Sequence, residues 1–284
     1  MKKRLFGCLC AAALLSLLTP SPAHAALPKA ASIPGGVALI FLGPVVPGSR
    51  QPRAWLGEQQ VLVASEGGQW VAVVGLALDA SPGMHELRVE VVGETQAVPF
   101  KVDAKTYPEQ RITMKDSSKV QLSASDLARV EAEIEAIRRL KQHWRETAGT
   151  DTAFVLPAQG RLTGRFGVRR FFNGEPRSPH AGFDIAVARG APVTAPADGT
   201  VLAVDDYFFN GKTVFVDHGN GLISMYCHLD QTNVQPGQAI GKGQRLGLAG
   251  MTGRATGPHL HWSVILNGAM VNPELFVGSS TRSN

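Results

Sequence analysis

The sequence predicts a mainly β protein: an N-terminal β-sandwich of Ig-like form, one linker α-helix, and a second, antiparallel β-rich domain. Two stretches show short apolar runs alternating with turn signals, the pattern of strands. A single stretch between them repeats apolar residues at steps of three and four, the period of a helix. Thirty-one glycines and eighteen prolines, against three tyrosines, point to many tight turns. A length of 284 residues favours two domains, and 44% hydrophobic against 18% charged residues excludes a chain disordered as a whole.

Residues 1–25 read as a secretory signal. Lys2-Lys3-Arg4 precedes an apolar run from Leu5 to Leu18, and Ala23-His24-Ala25 supplies small residues at the cleavage positions, so the mature chain is expected to begin at Ala26. A run of about 14 apolar residues is short against the roughly 20 that span a bilayer, so no stable membrane span is expected after cleavage. Leu5-Phe6-Gly7-Cys8 resembles an acylation box, but Cys8 lies before the apolar run. The formal charge of +5 includes Lys2, Lys3 and Arg4; without them 25 basic groups face 23 acidic ones. That near balance removes the charge argument for a nucleic-acid partner. Cys8 and Cys10 leave with the signal and Cys227 remains. The exported chain then has no internal disulfide, and a metal site cannot rest on thiolates.

In the first mature domain, residues 26–105, Val37–Leu42, Gln60–Ala64, Trp70–Leu76, His85–Val92 and Gln96–Val102 read as strands between Pro and Gly turns. His85 there is an ordinary strand residue. The linker, 106–153, carries the helix: Ser123 with Asp126 forms a capping box, and Leu127, Val130, Ile134, Ile137, Leu140 and Trp144 make one apolar stripe over about 22 residues. His143, at its end, reads as solvated or charge-complementing. The second domain spans 154–278, with a tail at 279–284. Its strands are expected at Gly199–Asp205, Thr213–Asp217, Leu222–His228, Arg245–Ala249 and His259–Leu266, with hairpins at Asn210-Gly211 and His218-Gly219-Asn220-Gly221. It holds five of the seven mature histidines.

Three segments carry the chemistry. His180 and Asp184, in Pro179-His180-Ala181-Gly182-Phe183-Asp184, would lie about 13 Å apart on a straight strand; to share an ion the chain must bend, and Gly182 permits a bend. His259 and His261 lie two apart and face one side of a strand, with Leu260 and Trp262 on the other. Two imidazoles on one face call for hydrogen-bond partners or a metal. His228 closes a strand after a glycine-rich hairpin. Four histidines and one aspartate without thiolates suit zinc with a position left open for water. His218 is set aside as a turn residue.

Residues 155–277 resemble the lysostaphin-type, or LytM-domain, zinc metallopeptidases. The resemblance runs through Gly164-Arg165-Phe166-Gly167 with Arg169, His180-Ala181-Gly182-Phe183-Asp184, Gly190-Ala191-Pro192-Val193 and Tyr226-Cys227-His228-Leu229. It continues in Gly250-Met251-Thr252-Gly253, Gly257-Pro258-His259-Leu260-His261, Asn267-Gly268 and Asn272-Pro273. Cys227 stands where the family more often has a small residue, and Trp262 where phenylalanine is commoner. The resemblance implies a barrel-sandwich-like peptidase domain in which His180, Asp184 and His261 hold one Zn2+ and His228 and His259 are catalytic without being ligands. It further implies cleavage of the stem peptides and cross-bridges of bacterial peptidoglycan, with periplasmic export and direct D-alanyl cross-links fitting the signal layout, and a secreted or wall-associated enzyme the alternative. A non-catalytic regulator of another wall hydrolase would be expected to lack some of the five site residues. A lipoyl-like carrier, suggested by Val234-Gln235-Pro236-Gly237-Gln238 and a lysine at 212 or 242, leaves the histidines unexplained. The 26–105 domain is expected to govern access to the metal.

Overall fold

The computed structural model describes residues 27–113 and 122–278. The signal segment with Cys8 and Cys10, and the tail 279–284, lie outside the described residues.

Six strands build the first domain: β1 (Val37–Pro44), β2 (Arg53–Leu56), β3 (Gln59–Glu66), β4 (Gln69–Gly75), β5 (Gly83–Val91) and β6 (Glu94–Val102). They pair in the order β1-β4-β3-β2-β5-β6. The first residues of β3 pair with β2 and the rest with β4. β3 therefore joins two half-sheets, which share one core: Ala38, Ile40, Ala72 and Val74 from one half, Ala54, Leu87, Val89 and Phe100 from the other. The five expected strands are present. β2, at four residues, is too short to show a period in sequence.

After β7 (Glu109–Ile112) comes α1 (Ala124–Lys141). The cap is as expected, with the Asp126 N–H donating to Ser123 Oγ at 3.1 Å. The helix has 18 residues, shorter than expected, because the chain beyond it is claimed by a turn of the second domain. Arg145 bonds Asp217, the Asn220 N–H donates to Arg145 O, and the Trp144 ring packs over Gly221. Only part of the apolar stripe is used. Val130 is buried and Ile137 and Leu140 half-buried, whereas Leu127 and Ile134 are exposed, since α1 rests on a single face of one sheet.

The second domain contributes β8 (Arg161–Gly164), β9 (Arg169–Phe172), β10 (Glu175–Arg177), β11 (Phe183–Ala186), β12 (Pro192–Thr194), β13 (Gly199–Tyr207), β14 (Gly211–Gly219), β15 (Leu222–Thr232), β16 (Ala239–Ile240), β17 (Arg245–Ala249), β18 (Leu260–Leu266) and β19 (Ala269–Val271). Its main sheet runs β16-β13-β14-β15-β18-β11-β8, with β17 joining β15 to β12 and β19 on β18. A small second sheet, β10-β9-β7, brings the linker strand against this domain. Asn220-Gly221 turns β14 into β15 with φ of 50° and 75°, the left-handed pair a two-residue hairpin needs.

The faces of the central strands have different partners. Phe215, Ile223, Met225, Cys227 and Ile265 pack with Ile137 and Leu140 of α1. On the other face Leu222, Tyr226, Trp262, Val264 and Leu266 share a core with Val37, Leu62 and Val73 of the first domain. At Val37, Leu62 and Val73, strands β1, β3 and β4 thus bury a second face against the next domain, besides the one inside their own. Asn267 completes the junction: its Oδ1 accepts the Gly75 N–H at 2.6 Å and its Nδ2 donates to Gly75 O at 3.0 Å. A Cβ at Gly75 would stand 2.6 Å from Leu266 O.

Candidate active site

The registers of three neighbouring strands place the central residues. Asp184 on β11 is directly opposite His261 on β18, and His261 is opposite Cys227 on β15. Along β18, Leu260 and Trp262 are fully buried in the shared core while His259 and His261 line a cleft of about 770 Å³, as alternation requires. His180 lies just before β11. Its backbone is anchored by exchange with the 167–168 segment: the Gly167 N–H donates to His180 O and the His180 N–H to Val168 O. Gly182 allows the approach through its missing side chain rather than through a left-handed φ, for a Cβ there would lie 2.6 Å from Trp262 O and 2.7 Å from His261 Nε2.

Three donor atoms converge. His180 Nε2 is 3.0 Å from Asp184 Oδ1 and 3.1 Å from His261 Nδ1, and the latter is 2.9 Å from Asp184 Oδ1. Ligands about 2.0–2.1 Å from a tetrahedral zinc stand about 3.4 Å from one another, so this triangle needs little expansion to hold such an ion. The opposite ring nitrogens are already occupied. His180 Nδ1 donates to Arg165 O at 2.9 Å, and His261 Nε2 pairs with Ser263 Oγ at 3.0 Å. Those contacts fix both ring orientations, with His180 Nε2 and His261 Nδ1 turned toward the shared point. Burial works to raise the Asp184 pKa, but hydrogen bonds with His180 and His261 outweigh it and hold the carboxyl well below its ordinary range. A Cβ at residue 164 would meet Asp184 Oδ2 at 2.1 Å, so Gly164 is required beside this carboxylate.

His228 and His259 form a second pair, with ring centroids 4.7 Å apart. Each places Nδ1 on a backbone carbonyl, His228 on Thr252 O and His259 on Gly257 O, both at 2.9 Å. His259 Nε2 lies 3.8 Å from Asp184 Oδ1, beyond hydrogen-bond reach, so both Nε2 atoms remain available to the cleft. In an unbroken strand the residue after Cys227 would face the shared core. A left-handed φ of 63° breaks the alternation and turns His228 into the cleft, at a cost of about 1–3 kcal/mol. Burial pushes its pKa down to about 4, so it is neutral at ordinary pH.

All five expected residues line one cleft, together with Arg165, Arg170, Arg254 and the linker residues Pro108 and Gln110. None of the described lining residues comes from 27–105. The wall from outside the second domain is the start of β7, held by its pairing to β9. The reading of His218 is corrected. It sits on β14 rather than in a turn, buried, with Nδ1 donating to Asp198 O and Nε2 on Ser224 Oγ, both at 2.7 Å. His143 reaches Asp217 at 3.5 Å. Sequence reasoning missed Ser263, although its place two residues beyond His261 on the same strand face was a usable signal. It also missed Thr252 as the partner of His228, which no local pattern announces.

A β-sheet cleft with a His–Asp–His group and two further histidines defines a metallopeptidase-like centre. The sequence pattern of Peptidase family M23 matches residues 178–273, and that of the Peptidase family M23 N-terminal domain matches residues 30–105. A solved Pseudomonas aeruginosa structure assigned to peptidase M23 is 39% identical, covering 88% of this chain and 96% of that one, with a TM-score of 0.74. The chain belongs to peptidase family M23. A peptidoglycan DD-endopeptidase of Vibrio cholerae, ShyA, is 38% identical over 120 residues, 42% of this chain and 28% of that protein. The DD-carboxypeptidase/endopeptidase Mpg of Neisseria meningitidis is 40% identical over 94 residues, 33% of this chain and 22% of that protein. These matches span less than a third of the relatives' length.

Proposed function

We propose that this chain is an exported zinc metalloendopeptidase that hydrolyses peptide cross-links of bacterial peptidoglycan, with direct D-alanyl cross-links as the bond class. The observation that carries the reading is the meeting of His180 Nε2, Asp184 Oδ1 and His261 Nδ1 beside two histidines whose Nε2 atoms remain open. The DD-endopeptidase relatives support the substrate, and the layout of residues 1–25 supports export to the periplasm.

His180, Asp184 and His261 would hold one zinc. Bound there, the ion supplies Lewis acidity, polarising a peptide carbonyl and lowering the pKa of water. The chain's own residues handle the protons. With Nδ1–H donated to a carbonyl, His228 or His259 accepts at Nε2 the proton lost by the attacking water. The imidazolium so formed hydrogen-bonds the oxyanion and returns the proton to the leaving amine as the C–N bond breaks. A purely regulatory role is disfavoured because none of the five positions is substituted. Mass spectrometry of muropeptides released from defined sacculi tests the reading: cleaved cross-links should appear with zinc and vanish with a chelator. A metal-free chain that releases nothing but stimulates a second hydrolase would overturn it.

A further inference from the structure

The cleft carries positive charge that the proposed reaction does not use. Arg170 on β9 stands directly opposite Arg177 on β10, a register in which like charges destabilise a sheet. Arg254, from the loop before β18, lines the same cleft as Arg170. It is held in place by its N–H, which donates to Phe209 O at 2.9 Å, and by its guanidinium, 4.1 Å from the Phe209 ring centroid. Burial first, then Arg177 and Arg170, lower the Arg254 pKa, so the three cations share one field. Among the described residues the carboxylate that reaches them is Asp184, 3.4 Å from Arg170 Nη2, and it already belongs to the His–Asp–His group. Orienting Asp184 would account for Arg170 alone, not for Arg177 or Arg254. Arg170 Nε is buried with no hydrogen-bond partner among the described residues, and an unpaired buried charged donor is costly.

We infer that Arg170, Arg177 and Arg254 form a subsite for a carboxylate of the substrate peptide next to the scissile bond. Guanidinium forks suit a carboxylate's two oxygens, and an incoming anion would relieve the mutual repulsion of the three. The inference rests on the peptidase reading for the identity of the ligand, though not for its detection. Stem peptides bear free carboxylates, and the subsite makes the enzyme select the acid over the amidated peptide.

Calorimetric titration of the full, chelator-treated chain with an N-acetylated stem tetrapeptide, and with the same peptide amidated at every carboxylate, reads this without turnover. The free acid should bind about tenfold more tightly. The double variant Arg177→Gln/Arg254→Gln should lose that preference, while Arg50→Gln, on an exposed loop of the first domain, should keep it. Arg254→Lys, which keeps the charge but loses the fork, should fall between and serves if the double variant does not fold. Equal affinity of the wild type for acid and amide, or a preference that survives in the double variant or is undiminished in Arg254→Lys, would overturn the subsite. Selective binding with cross-linked muropeptides left uncut would sink the peptidase reading and leave the subsite standing; cleavage of acid and amide with equal kcat/KM would do the reverse.

Discussion

The two larger sheets of this protein use their second face differently. In the first domain β4 is buried throughout from Val71 to Gly75, one side facing its own core and the other the neighbouring domain. In the second, the face that carries Cys227 and Ile265 under α1 gives way to His261 and Asp184 at the ends of the strands. A sheet face spent on packing leaves no room for open polar groups. The active centre therefore lies where apolar cover stops, and the first domain packs on the sheet behind it without lining the cleft.

The largest test of that contrast is at the strand ends. His261→Ala should remove metal, read by elemental analysis of the purified protein, and reduce muropeptide release to background. Metal retained at full stoichiometry would show that the triangle of donors is not the binding site. Next in size, His259→Ala should keep its metal while kcat falls roughly 10²–10⁴-fold, because a proton carrier is lost and no ligand is. Equal loss of metal and turnover would erase the distinction between the two histidine pairs.

The packing between the domains is tested by Leu62→Ala, on the face of β3 turned toward the second domain. A loss of about 2–5 kcal/mol is expected, in a single thermal transition monitored by both circular dichroism and activity. Two separate transitions, with activity following only the later one, would mean that the domains do not stabilise each other.

The smallest effect concerns pH. Burial pushes His218 down from 6.5 to about 4, and it is not among the residues that line the cleft. Between those values the unfolded chain binds a proton that the folded chain refuses. Stability should be full above pH 6.5, fall as pH drops toward 4, and level off below, with a slope on the order of 1.4 kcal/mol per pH unit per group. Burial of His228 adds the same sign. Urea midpoints at pH 7, 5.5 and 4 measure it; His218→Asn should flatten the slope, and an unchanged slope would exclude His218 as its source.

Much of this was legible in the residues. Period-two alternation separated His259 and His261 from Leu260 and Trp262, and Asn-Gly pairs marked the hairpins, because both signals are local. The short strands β7 to β12 were not legible, since three or four residues cannot show a period. Nor was the junction. Alternating burial reads the same whether the outer face meets water or another domain, and the double burial of β4 becomes clear only when Val73 is seen beside the second core. Nor does any local pattern show that Arg170 and Arg177 meet, since only the strand register places them face to face.

The reciprocal clasp between Asn267 and Gly75 has a consequence for how this molecule survives a cut in its chain. A protease that nicks the connecting segment severs the covalent thread but not the seam of apolar side chains and paired amides beside it. The halves should continue to travel as one particle, its catalytic centre still braced from behind.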